Sequence, residues 1–293
     1  MVCDSFPKLG LGTWMMGGRD KPDPSNDDAA DIAAVRRAVE AGISHIDTAE
    51  YYADGKAEEL VGRAIGEFDR SALFIASKVR AEKLSYADVL SSCEASLERL
   101  GVDCLDLYYV HKPNPQIPVA ETAEAFNYLL RKKMIKEAGL SNVSVKTIEK
   151  YNKYLEKPVF AVQNNYNLIV RQSVEAGVTE YCREHNIHFV AWRPLQLPIP
   201  ALGIKSLTER GAYPLLDEMA DKYGKSNAQI AVKWIIAQCN VSAIFKTSNP
   251  DHLRQIIDCE RFEMSLDDLN RLTKEFPLQT SYGLTSAGRL DLL

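Results

Sequence analysis

From residue 9 to residue 276 the chain alternates short β-rich apolar runs with amphipathic helical ones, and this alternation limits the possible folds more than any other feature. LGLGTW (9–14) precedes a helical repeat over 27–42 that stops at Gly42. SHIDTA leads to GKAEELVGRAIGEF, and LFIASKV (73–79) to a helix over 85–101 with Ser85 at its start and Gly101 at its stop. The strand at 104–111 leads to VAETAEAFNYLLRKK, IKEAGLS to SVKTIEKYNKYLE, and VFAVQNN to a helix over 171–184. IHFVAW is followed by helices over 213–223 and 227–238, and VSAIFKT by helices over 250–258 and 266–276. Eight strands, each leading to a helix, predict a parallel sheet with helices outside. Eight units in 293 residues fit a closed (β/α)8 TIM barrel, an α/β fold, as one domain over 1–293 with extra helices and loops at its C-terminal face. An open doubly wound sheet would need GxGxxG opening a helix; GLGTWM lacks the third glycine and starts no helix. Two longer irregular stretches remain, 194–211 and the tail 277–293.

Composition narrows the function classes. With 35 basic and 40 acidic residues the formal net charge is −5, so the basic footprint of a nucleic-acid binder is missing. No apolar run is long enough to span a bilayer, and the opening MVCDSFPKLG has no signal-peptide apolar region. The expectation is a cytoplasmic protein with neither nucleic-acid nor membrane partners; its oligomeric state is not legible. The six cysteines are scattered without a CxxC pair and are expected to be reduced thiols. Cys182, His185 and His188 have helix-face spacing but no second ligand group, so no metal is expected.

Polar residues ending otherwise apolar strands locate the chemistry, because strand C-termini form the catalytic face of such a barrel. Asp47 ends the second strand, with Tyr51 and Tyr52 just after it; Lys78 ends the third and His111 the fourth. Taken singly, each has a structural explanation: a turn, a lysine reaching for solvent, a satisfied core histidine. Together they place an acid, a phenol, an amine and an imidazole on adjacent strands. A lysine beside a carboxylate stays charged, and its charge is expected to lower a neighbouring phenol's pKa from about 10. That set polarises a carbonyl oxygen and delivers a proton to it. No GxSxG elbow or isolated catalytic cysteine supplies a nucleophile, so a hydride donor completes the picture.

The ordered pieces LGLGTW, HIDTAEYYADGKAEELVGRAI, LFIASKV, LERLGVDCLDLYYVHKP, IKEAGLSN, VQNNYNLI and KTSNP span nearly the whole chain and resemble the aldo-keto reductase family. The resemblance implies a (β/α)8 barrel that carries NADPH, or NADH, across its C-terminal face and reduces a small aldehyde or ketone. It puts the catalytic tetrad on Asp47, Tyr52, Lys78 and His111, with Tyr52 rather than Tyr51 as the acid. It puts cofactor contacts at Gly12, Thr13, Trp14, Asp47, Ser141, Asn142, Gln163, Trp192, Arg193, Pro194, Leu195, Lys246, Thr247, Ser248, Asn249 and His252. The pocket walls would include Met15, Met16 and Tyr51, although the two methionines could equally be loop packing.

Two stretches depart from the family's pattern. Where a tyrosine and SPL are common, this chain has AWRPLQ, so Trp192 takes the stacking position. Arg193 there replaces a serine and could reach either the cofactor's pyrophosphate or the substrate. After the last strand, Lys246 and the following hydroxyls match a 2′-phosphate site, with a helix N-terminus behind them. His252 stands where an arginine is common, which keeps NADH in play. Other functions remain: a cofactor-binding regulatory or scaffolding subunit with little turnover, and an isomerase forming a Schiff base at Lys78.

Overall fold

A computed structural model describes residues 6–196, 198–200 and 203–277, and in it the alternation closes on itself. The strands are β1 (Leu9–Gly12), β2 (His45–Asp47), β3 (Phe74–Val79), β4 (Leu105–Val110), β5 (Ile135–Ser141), β6 (Ala161–Asn165), β7 (His188–Trp192) and β8 (Val241–Phe245). All pair in parallel, in chain order, and β8 returns to β1 to complete the barrel. The helices are α1 (Asp28–Glu40), α2 (Lys56–Ile65), α3 (Tyr86–Leu100), α4 (Val119–Arg131), α5 (Val145–Asn152), α6 (Gln172–Glu175), α7 (Val178–Glu184), α8 (Pro214–Tyr223), α9 (Asn227–Ile236), α10 (Pro250–Asp258) and α11 (Leu266–Glu275). Among the described residues no helix is long and apolar enough to cross a membrane.

Local chemistry sets the helix boundaries. Ser85, Ser144, Ser226 and Ser265 each cap a helix by accepting a backbone N–H at its first turn. Ser226 and Gln229 complete a reciprocal capping box. The helix expected over 171–184 is two pieces, α6 and α7, because Gly177 takes a left-handed φ of 70° between them. The expected irregular stretch 194–211 contains a two-strand bridge between Ile199 and Ile204. Residues 197, 201 and 202 of that stretch, and 278–293 of the tail, lie outside the described residues.

The barrel interior is packed rather than hollow. Ala76, Leu107, Tyr109, Ala161, Val190 and Ile244 form an inner cluster, while a larger apolar layer lies between strands and helices. Gly139 of β5 faces the Tyr109 ring so closely that a Cβ there would stand 2.5 Å from two ring carbons. At the N-terminal ends of the strands, Phe6 stacks on His188 at 4.8 Å and meets His45 and Phe74 edge-on at 5.2 and 5.0 Å. This aromatic plug closes one end and leaves the chemistry to the other.

Candidate active site

The polar strand ends converge as their spacing required. Asp47, the last residue of β2, stands level with Gly12 of β1 and Ala76 of β3. One of its carboxylate oxygens accepts from Lys78 Nζ at 2.6 Å and the other from Gln163 Nε2 at 2.8 Å. The Asp47 carbonyl accepts from both the amide and the hydroxyl of Thr13, at 3.0 and 3.1 Å. Asp47 is 1% and Lys78 0% exposed, so this ion pair is screened from water. Besides Asp47, the ammonium donates to the Thr48 carbonyl at 2.8 Å and to Tyr52 Oη at 3.3 Å, which uses all three of its protons. Burial opposes the charge on Lys78, but Asp47 and Tyr52 together outweigh it and the pKa lies above the ordinary lysine value.

The geometry separates the two tyrosines. Tyr51 is 38% exposed and donates to Asp20 at 3.1 Å. Tyr52 is half-buried and turns its hydroxyl to Lys78. The backbone makes this possible by an unusual route: Ala53, Asp54 and Gly55 follow with φ of 48°, 52° and 91°, three left-handed residues in succession. Two of them are not glycine, a strain that the Ala53 N–H bond to the Arg19 carbonyl and the Asp54–Arg80 salt bridge help to hold.

One electrostatic expectation is corrected. The Tyr52 pKa lies above, not below, the ordinary value, because burial disfavours the phenolate more than Lys78 favours it. The side chain is therefore a protonated phenol throughout the neutral range. His111 follows β4, and its ring meets those of Tyr52 and Tyr51 edge-on at 5.7 and 6.0 Å. Its carbonyl accepts from Asn142 Nδ2 at 3.0 Å. Burial, with the positive charges of Lys78 and Arg80, pushes its pKa down to about 3, so it is a neutral imidazole.

His45, with burial as the main cause, titrates at about 4. Unfolded imidazoles titrate near 6.5. Between these limits the unfolded chain binds protons that the folded chain does not. The stability these two histidines confer is complete above pH ~6.5 and falls away as the pH drops toward 3. We expect the proton resonances of the His111 ring to stay unshifted from pH 8 to 5. A midpoint near 6.5 would show a solvated, chargeable imidazole instead.

The residues expected to hold a nicotinamide cofactor fit one. Ser141 ends β5, level with Gln163, and donates to the Gln163 carbonyl at 2.8 Å. Asn142 is left-handed, with φ of 60°, and spends its amide hydrogens on His111 and Ser141. Its amide oxygen is left for a donor such as a carboxamide. Trp192 ends β7 half-buried, its indole N–H without a partner. Pro194 is buried next to it in sequence, and the Leu195 carbonyl accepts from the Leu207 amide.

At the loop expected to hold a 2′-phosphate, the helix behind it carries its own cap. The N-terminus of α10 is not open, because Asn249 accepts from the amides of Asp251 and His252. Arg254 is paired with Asp251, and His252 is exposed. The exposed groups there are the Lys246 ammonium and Ser248, while the Thr247 hydroxyl accepts from the Asn249 amide at 3.1 Å. Arg37, which sequence reasoning missed, comes from α1 to donate to the Ser248 carbonyl at 3.2 Å. Only the packing of α1 beside this loop reveals it. Arg80 was missed in the same way: it bonds the Glu50 carbonyl at 2.9 Å and lies over the Tyr51 ring.

Known proteins agree with the geometry. The Aldo/keto reductase family pattern matches residues 8–275. The chain is 36% identical to the thermostable aldo-keto reductase Tm1743, solved with the inhibitor epalrestat, with a TM-score of 0.84 over 92% of this chain and 94% of that one. It is 30% identical to an aldo/keto reductase from Klebsiella pneumoniae solved with NADP and acetate, with a TM-score of 0.82 over 98% and 95%. It is 29% identical to methylglyoxal reductase YeaE of Escherichia coli strain K12, covering 93% of this chain and 92% of that protein. A barrel alone leaves the chemistry open; a match running from residue 8 to residue 275 does not, and the chain belongs to the aldo/keto reductase family, enzymes that reduce carbonyl groups with a nicotinamide cofactor.

Proposed function

We propose that this protein reduces an aldehyde or ketone to the alcohol, with NADPH as hydride donor and Tyr52 as the acid that protonates the oxygen. The observation that carries this reading is the buried Lys78 ammonium, locked between Asp47 and the Tyr52 hydroxyl. When bound, the nicotinamide supplies the hydride that attacks the carbonyl carbon. Tyr52 gives its proton to the oxygen as negative charge builds there, and the phenolate left behind faces Lys78 at 3.3 Å. His111, neutral, donates a hydrogen bond to the same oxygen and orients it. Asp47 holds Lys78 in register and keeps it charged. An ammonium with every proton engaged and a raised pKa is a poor amine nucleophile, which disfavours Schiff-base chemistry at this lysine.

The direct test follows NADPH oxidation at 340 nm with a panel of aldehydes, beginning with small 2-oxoaldehydes because a relative is a methylglyoxal reductase. Tight cofactor binding with no turnover on any carbonyl would favour a sensor or scaffold instead. For cofactor choice, Lys246→Met is expected to raise the KM for NADPH roughly 10- to 100-fold, by loss of a charge-assisted phosphate contact, and to leave that for NADH nearly unchanged. An equal effect on both cofactors would remove Lys246 from the 2′-phosphate site.

A further inference from the structure

Arg193 is the arginine at the catalytic mouth that the proposed reaction does not use. Three other partly buried arginines are ion-paired, Arg70 with Asp106, Arg80 with Glu50 and Asp54, and Arg99 with Glu58, and two more donate to backbone carbonyls, Arg37 to Ser248 and Arg171 to Leu168, Thr273 and Phe276. The half-buried Arg193 guanidinium instead lies over two indoles, at 5.6 Å from the Trp14 ring centre and 5.3 Å from that of Trp192. Among the described residues it has no acidic partner. Cation–π contact holds the guanidinium plane without using any N–H, so the donor fork stays available.

Its backbone is fixed as firmly as its side chain. Arg193 adopts a left-handed φ of 55°, and its carbonyl accepts from Asn167 Nδ2 at 3.0 Å and the Gln196 amide at 3.2 Å. The turn therefore aims the side chain back toward Trp14. Trp14 directly follows Thr13, which is bonded to Asp47, so the guanidinium packs on the segment that leaves β1 next to the tetrad aspartate.

We propose that Arg193 is a specificity residue that selects carbonyl compounds bearing a carboxylate. This rests on the reductase reading above. The carbonyl end would be held by Tyr52 and His111, donors that serve the reacting oxygen and leave a carboxylate elsewhere on the substrate to be met by another group. A planar carboxylate elsewhere on the substrate would meet the stacked guanidinium in a bidentate pair, a geometry that lysine cannot reproduce.

The test compares 4-formylbenzoate with its neutral methyl ester at saturating NADPH, in wild type, Arg193→Met and Arg193→Lys. Wild type is expected to prefer the acid, mainly through KM. The ratio of kcat/KM for acid over ester should fall roughly 10- to 100-fold in Arg193→Met, with only partial recovery in Arg193→Lys. Benzoate, but not benzamide, should also quench tryptophan fluorescence in wild type with NADP bound, and not in Arg193→Met of equal thermal stability. An unchanged acid-to-ester ratio with weakened NADPH binding would assign Arg193 to the cofactor's pyrophosphate and overturn the proposal. So would a wild type without preference for the acid. If wild type reduces neither aldehyde yet binds benzoate through Arg193, the anion site stands and the reductase reading falls; if benzoate binding does not depend on Arg193, the anion site falls.

Discussion

Tyr52→Phe is expected to lower kcat roughly 10²- to 10⁴-fold on every carbonyl the protein reduces, the range for loss of a positioned general acid. The substitution removes one oxygen, and its bond to Lys78 is the longest of the three that the ammonium makes. The Asp47–Lys78 pair and the T-shaped contact with His111 do not depend on the hydroxyl. Folding and cofactor affinity should therefore be close to wild type while hydride transfer stalls for want of a proton. Tyr51→Phe is the control, since that hydroxyl points to Asp20 at the surface, and it should retain most activity. If Tyr51→Phe were the inactive variant, the assignment of the acid would be wrong.

Lys78→Met is expected to fail twice, in stability and in turnover. It leaves the Asp47 carboxylate 1% exposed with only Gln163 on its side-chain oxygens, and removing one partner of a buried pair costs about 3–5 kcal/mol. That is roughly 10 °C in melting temperature for a chain of this size. Asp47→Asn with Lys78→Met removes both charges and should recover most of the stability, because the uncompensated anion rather than the missing bond is what destabilises. Activity should stay lost, since the cation facing the Tyr52 phenolate is gone. Thermal melts and steady-state rates on the two variants separate these effects. A single variant that melts with wild type would mean that the Asp47–Lys78 pair contributes no net stability.

Periodicity and punctuation made the fold legible in the sequence. Alternation of β-rich and amphipathic runs specifies parallel strands with outer helices whatever the neighbours, and serines and glycines at run ends mark most boundaries correctly. The same logic located the site, because in such a barrel a polar residue ending an apolar strand has one face to point to. Asp47, Lys78, His111, Ser141 and Trp192 all lie at or next to strand ends, while Gln163 sits mid-strand in β6. The long helix expected over 171–184 failed locally: apolar spacing continues through Gly177, and only its left-handed backbone reveals the break.

What the tertiary structure decided are the contacts between elements far apart in the chain. Arg37 reaches Ser248 across 211 positions, and Gln163 reaches Asp47 across 116. Burial decided the electrostatics: a sequence states which charge stands near Tyr52 but not how much water is left there, and desolvation reversed the expected direction of its pKa. The direction of the Arg193 side chain was equally illegible in the sequence. Its direction depends on a left-handed backbone and two indoles supplied by β7 and the loop after β1, elements that meet only once the barrel has closed.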